Sequence, residues 1–305
     1  MKLIYSGVDI TDSVTVTGCV HDMYSSGGFD TLHITLDDMD QVWDRWAPQA
    51  GDIIRVKDGQ ADSGDMIVHQ MLPTNGRYII KATSAPLTAK DPRGKAWVDI
   101  KLLQIGQEIA ARHGLELQSF GVSDYRYKYL LQAQENDFAF YSRLCTLEGC
   151  GMIVQNGALV VYDISTLEAT EPVETIEVTG GSEYRYTDRT GQMFTDCSIE
   201  LGRYSGGYST GLAPVRRLPP PLWVQAASNE ECARFSRNLL RDANKDARSG
   251  SFKADIQPSL AAGSVVRIKT PGAASWDGPV FLHHVRNDYV SGKSKLFFRI
   301  PQGVA

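Results

Sequence analysis

Between Gln134 and Asp163 the chain runs QENDFAFYSRLCTLEGCGMIVQNGALVVYD, and few folds accommodate that pattern. Asn136 can accept hydrogen bonds from the first turn of a helix, and Phe138, Tyr141, Leu144 and Cys145 then share one helical face until Gly149. Two apolar runs follow, parted only by Asn156 and Gly157, the residues of a tight β-hairpin turn. A helix leading directly into a hairpin makes this segment α+β.

The flanks read differently. Residues 1 to about 90 alternate polar and apolar over short runs between Gly, Asp, Asn and Pro turns, most clearly at Leu32, Ile34 and Leu36. Such spacing predicts a small antiparallel barrel or sandwich, with one short helix around Asp38 to Trp46 that places Trp43 and Trp46 on one face. After Pro92, Leu102, Ile105 and Ile109 predict a helix stopped at Gly114. Strands return from about Val173, and Met193, Cys197, Ile199 and Leu201 mark a half-buried one. Residues 202–221, rich in glycine and with three consecutive prolines, predict a long exposed loop. Ser228 and Glu231 have capping-box spacing and open a helix of about 228–246, and the last fifty residues are strands again. The fold class is mainly β with an α+β insertion. The divisions fall at 1–90, 91–170 and 171–305, the last interrupted by the loop and the helix.

At 305 residues the chain exceeds the size of one ordinary core. Charged residues make up 22% and the formal net charge is −5, the wrong sign for a chain that wraps nucleic acid. The N-terminus lacks the apolar run of a secretory signal, and no stretch approaches bilayer-spanning length, so no membrane insertion is expected. Five cysteines at irregular spacing predict reduced, buried thiols rather than a disulfide framework.

Each candidate chemical motif fails on spacing. His283 and His284 are adjacent on a predicted strand, so their side chains leave opposite faces and cannot share a metal. Cys145 and Cys150 have no second ligand pair at zinc-site distance. GRYSGGYS has the glycines of a phosphate loop but Tyr208 in place of its lysine. Asp37, Asp38 and Asp40 read as the acidic first turn of the short helix rather than a cation site. No cofactor and no enzymatic activity are expected. A carboxylate pair of glycosidase type has no sequence signature and stays open.

The order of blocks resembles the phage tail and baseplate hub proteins of the late control protein D family, together with the hub part of VgrG spike proteins and the hubs of tail-like bacteriocins. The resemblance rests on three blocks: the Gln134–Asp163 stretch, the closing segment LAAGSVVRIKTPGAASWDGPVFLHHVRNDYVSGKSKLFFRI, and the opening block with its short helix before a Gly-Asp strand. Asn136, Asp137, Phe138, Phe140, Leu144, Gly151, Gly263 and Gly278 are the family-marking structural positions. Many relatives carry a histidine where this chain has Asn287. The resemblance implies a homotrimeric ring in which each subunit supplies two similar small antiparallel β-barrels, joining a tail tube or distal tail protein to a central spike. A tape-measure protein is a further partner, and DNA passes through a lumen without specific binding. It implies a virion tail or tail-like particle assembled in the bacterial cytoplasm. Arg216, Arg217 and Trp223, in and after the predicted loop, are the candidate partner contacts, and the loop around Arg216 and Arg217 is expected to be disordered in an isolated subunit or ordered by a neighbouring protein. The alternatives are a tail-associated cell-wall hydrolase and a carbohydrate-binding module using Trp43, Trp46, Trp97, Trp223 and Trp276 as a stacking platform.

Overall fold

Leu32, Ile34 and Leu36 lie on the buried face of the strand Thr31–Asp37, with Thr31, His33 and Asp37 in solvent, as a period of two requires. The structure, a computed structural model, describes residues 1–41, 43 and 46–302. Part of the short helix expected around Asp38 to Trp46 lies outside the described residues. Trp43 is buried and Trp46 exposed, their ring centroids 5.1 Å apart.

The chain is mainly β with an α+β insertion. One antiparallel sheet carries most of the strands, in the order Arg185–Asp188, Arg248–Asp255, Lys293–Arg299, Gly278–Asp288, Val16–Tyr24, Thr31–Asp37, Arg77–Thr83, Met66–Thr74, Ile53–Asp58, Lys2–Tyr5 and Val8–Asp9. The N-terminal and C-terminal β units are therefore joined edge to edge, through Val16–Tyr24 and Gly278–Asp288, with His284 opposite Tyr24 and Asp288 opposite Val20. Local periodicity carries no information about such a join.

Among the described residues the apolar side chains collect in three cores. One holds Leu3, Ile34, Val56 and Ile80 of the first unit, and Tyr289 reaches it from the last hairpin. Another holds Phe252, Val266, Leu282 and Phe298 of the C-terminal unit. The largest belongs to the insertion and includes Trp97, Ile105, Tyr141 and Leu159.

The predicted helices form as Leu102–Arg112, Asp137–Leu147 and Asn229–Asn244, with a short fourth at Ile164–Glu168. Gly114 follows the first with φ +70°, and Ser228 caps the third by accepting from Glu231 N at 3.1 Å. Strands Cys150–Gln155 and Ala158–Asp163 make the expected hairpin, with Asn156 and Gly157 at φ +48° and +72°. All five cysteines are free and buried. Among the described residues no helix is long and apolar enough to cross a membrane.

The region predicted as a long exposed loop is different. Tyr204–Ser209 is a strand paired with Asp196–Leu201, and Arg217–Leu218 adds a short parallel strand. Gly206 lies so close to the helix Asn229–Asn244 that a Cβ there would stand 2.5 Å from Ala233 N. Gly206 and Gly207 are needed for close backbone approach, while Gly202 and Gly211 serve turns at φ +61° and +72°. Cys197, Ile199 and Phe235 accordingly share the core of the insertion.

Candidate assembly surfaces and their bracing

Asn136 caps its helix by accepting from Ala139 N at 2.8 Å, and Phe138, Phe140 and Leu144 point into the insertion core. The ring of Phe140 lies parallel to Trp97 at 6.0 Å, and Phe138 meets Phe29 edge-on at 5.3 Å. Asp137 is 1% exposed. Its Oδ2 accepts from Arg112 at 2.6 Å and lies 3.1 Å from His113 Nε2, while Oδ1 accepts from Gln132 at 2.8 Å. Burial opposes its charge, but the hydrogen bonds from Gln132, Arg112 and His113 hold the carboxyl below its ordinary range. Gly151 lies under the ring of Tyr162, whose hydroxyl donates to the Ser25 carbonyl and so ties the hairpin to the first β unit. Gly263 and Gly278 take φ +95° and +138° at the starts of C-terminal strands, where a side chain is strained.

Further braces have no motif. Glu148, buried just past a helix end, accepts from Arg234 at 2.7 and 3.1 Å and from the Tyr127 hydroxyl at 2.7 Å. Arg299 of the last strand donates to Glu168 at 2.8 Å, with both side chains almost wholly buried. An acid at the C-terminal end of a helix, against the helix dipole, is the one sequence signal that a cation waits for Glu148. Glu168 likewise ends the helix Ile164–Glu168, but no helix was expected there.

At the join of the β units, His284 is sandwiched between Tyr24 and Phe297, each ring centroid 4.5 Å away, and its Nε2 lies 2.7 Å from Asp22 Oδ1. A bulge falls between Leu282 and His284, so simple strand alternation does not hold there. His283 nonetheless interacts with a different set of charges, Asp246 and Arg299 among them, and the two rings share no ligand. Asn287 is buried and accepts from Ser294 Oγ at 2.5 Å. Among the described residues no group of His, Cys, Asp and Glu is arranged to hold a metal ion.

One constellation has the order of a catalytic relay: Thr88 Oγ1 is 2.8 Å from His113 Nδ1, and His113 Nε2 is 3.1 Å from Asp137. Arg112 donates to the same Asp137 oxygen at 2.6 Å, so one carboxylate is shared between the guanidinium and the imidazole. The arrangement works as a charge clamp.

The candidate contact residues are anchored to their own chain, which corrects the expectation of a loop ordered only by a neighbour. Thr195 N donates to the Arg216 carbonyl at 2.8 Å, Arg216 N to Thr195 Oγ1 at 2.8 Å, and Thr210 N to the Thr195 carbonyl at 2.9 Å. Arg217 donates to Asp196 at 2.8 Å, and Trp223 sits against Arg143. The apolar side chains left in solvent at its tip are Leu212, 62% exposed, and Val215, 74%. A second exposed apolar surface is the outer face of the ribbon Pro92–Lys101 with Arg126–Asn136, where Val98, Tyr129 and Leu131 face out while Trp97, Tyr127 and Leu130 are buried. The proposed tryptophan platform does not form, because Trp43 and Trp97 are buried while Trp223 and Trp276 pack against separate cores.

No protein-family model matches the sequence, and no curated protein does. Solved structures do match the fold. The 43 kDa tail protein of prophage MuSo2 from Shewanella oneidensis superposes with a TM-score of 0.72 at 11% identity, over 98% of this chain and 97% of that one. A tail protein from Neisseria meningitidis gives 0.75, also at 11% identity, over 98% and 95%. A type VI secretion component from Escherichia coli, itself named as similar to the T4 bacteriophage tail proteins gp27 and gp5, gives 0.62 at 12% identity over 100% and 78%. The chain has the fold of these phage tail and type VI secretion proteins.

Proposed function

We propose that the chain is a structural hub of a phage tail or tail-like injection machine, three copies forming a ring between the tail tube and the central spike or tail tip. The observation that carries this is the end-to-end likeness to tail proteins, 98% of the chain against 97% of the Shewanella protein. The physical support is rigidity. A plate that transmits force between a tube and a spike needs long ladders and buried braces, which the 14-stranded sheet and the Glu148–Arg234 and Glu168–Arg299 pairs supply. It needs no substrate site.

In this reading the tube or distal tail protein and the tape-measure protein lie on one side and the spike on the other, and DNA passes along a lumen whose wall is neutral or acidic. The family-marking positions serve packing. Mass measurement of the full chain, alone and coexpressed with its spike, tests the ring: trimers in either condition are expected, and a strict monomer in both would sink it.

A further inference from the structure

We infer that the tip of the 211–215 loop of one copy docks into the acidic, tryptophan-lined cleft of the next, making a head-to-tail contact between copies; this rests on the hub reading. The loop is built to present its tip. Both its ends are fastened to Thr195, by the Thr210 N bond at 2.9 Å on one side and the two Arg216 bonds at 2.8 Å on the other. Between them stand Leu212 and Val215, 62% and 74% exposed. An apolar tip held out on a fastened loop loses little freedom when it docks. Arg216 and Arg217 flank it, the Arg217 side chain 70% exposed even with Asp196 beside it.

The matching surface is on the first β unit. Asp12, Asp37, Asp38, Asp40, Met39, Trp43 and Trp46 line a cleft of about 280 Å³. Its rim carries exposed Asp12, Asp37 and Asp40, with Met39 77% exposed and Trp46 45% exposed among them. The apolar tip meets Met39 and the exposed side of Trp46, and the two arginines meet aspartates. With a formal net charge of −5, copies repel one another in general, so a local basic-to-acidic match selects this orientation over others. Used once between each pair of copies the contact is heterologous, and repeated it closes a ring or runs on as a filament.

The test mixes two full-length single variants, Val215→Cys and Met39→Cys, under mild oxidation, so that a disulfide between the new thiols can only join two chains. The expected result is a covalent dimer in the mixture and none with either variant alone. Arg216→Glu with Arg217→Glu should raise the concentration for half-assembly at least tenfold, and adding Asp37→Lys with Asp40→Lys in the same chain should restore it. Trimers that form without the cross-link and ignore the charge reversal overturn this contact and leave the ring standing. A monomer under every condition, alone and with the spike, overturns both. A cross-link with assembly running past three copies supports the contact and removes the closed trimer. Capture of the Val215→Cys chain by a coexpressed tail protein in place of a second copy overturns the inference.

Discussion

The Cα of Gly151 lies directly beneath the ring of Tyr162, so that a Cβ at position 151 would stand 2.4 Å from the Tyr162 Cζ. Residues 151 and 162 face each other in the hairpin register, and the glycine leaves the room that lets the tyrosine reach the Ser25 carbonyl.

Gly151→Ala should therefore displace Tyr162, costing about 1–3 kcal/mol in overpacking and about 1 kcal/mol for the lost hydrogen bond. Thermal unfolding of a double-mutant cycle with Tyr162→Leu checks the cause. The alanine should be nearly harmless once the ring is gone, and an undiminished loss there would show that the ring is not responsible.

Arg234→Met strands Glu148, whose side chain is 1% exposed, with the Tyr127 hydroxyl as its one remaining side-chain donor among the described residues. A loss of roughly 3–5 kcal/mol is expected, and Glu148→Gln in the same chain should recover much of it because the uncompensated charge is removed. Urea midpoints of the three variants decide the matter. Equal loss in the single and double variants contradicts it.

Asn136→Ala removes the acceptor for Ala139 N and should cost about 1 kcal/mol, whereas Asn136→Asp keeps it. Denaturant unfolding distinguishes them. A wild-type midpoint for the alanine variant would mean that packing alone starts the helix.

His21 is 1% exposed, and burial pushes its pKa down to about 4 against the favourable fields of Asp22 and Asp62. An unfolded histidine protonates near pH 6.5, so between about 6.5 and 4 only the unfolded chain takes up this proton. Stability falls as pH drops through that window, by up to about 3 kcal/mol for this one group. Asp30 acts in the opposite sense. Burial raises it to about 6 from 3.8, so the folded chain holds the extra proton between those values and loses stability as pH rises through them. His21→Phe removes the first effect and leaves the second. Its melting temperature should decline less than that of the parent between pH 6.5 and 4.5, and parallel curves would refute the assignment.

What could be read from the sequence was local. Leu32, Ile34 and Leu36, the Asn156-Gly157 turn, the Asn136 and Ser228 caps, and the Leu102, Ile105 and Ile109 stripe are patterns set by one element's own period, and each forms where expected. What was missed depends on distant partners. Gly206 is glycine because Asn229 and Ala233 press on it, so a tight packing contact looked like a flexible loop. The Arg299–Glu168 and Arg234–Glu148 pairs join residues more than eighty positions apart. The tip at Leu212 and Val215 looked like any glycine-proline loop until the bonds to Thr195 showed it fastened.

The ladder between Val16–Tyr24 and Gly278–Asp288 has a consequence for synthesis. While the ribosome is still making the middle of the chain, Val16–Tyr24 can pair with Thr31–Asp37 on one side, but its other edge has no complement until residue 288 has emerged. An edge exposed over Val20–Tyr24 invites chaperones or like strands. A chain that stops short of residue 288 keeps that edge bare, so the ladder that stiffens the finished sheet also sets it apart from a truncated product.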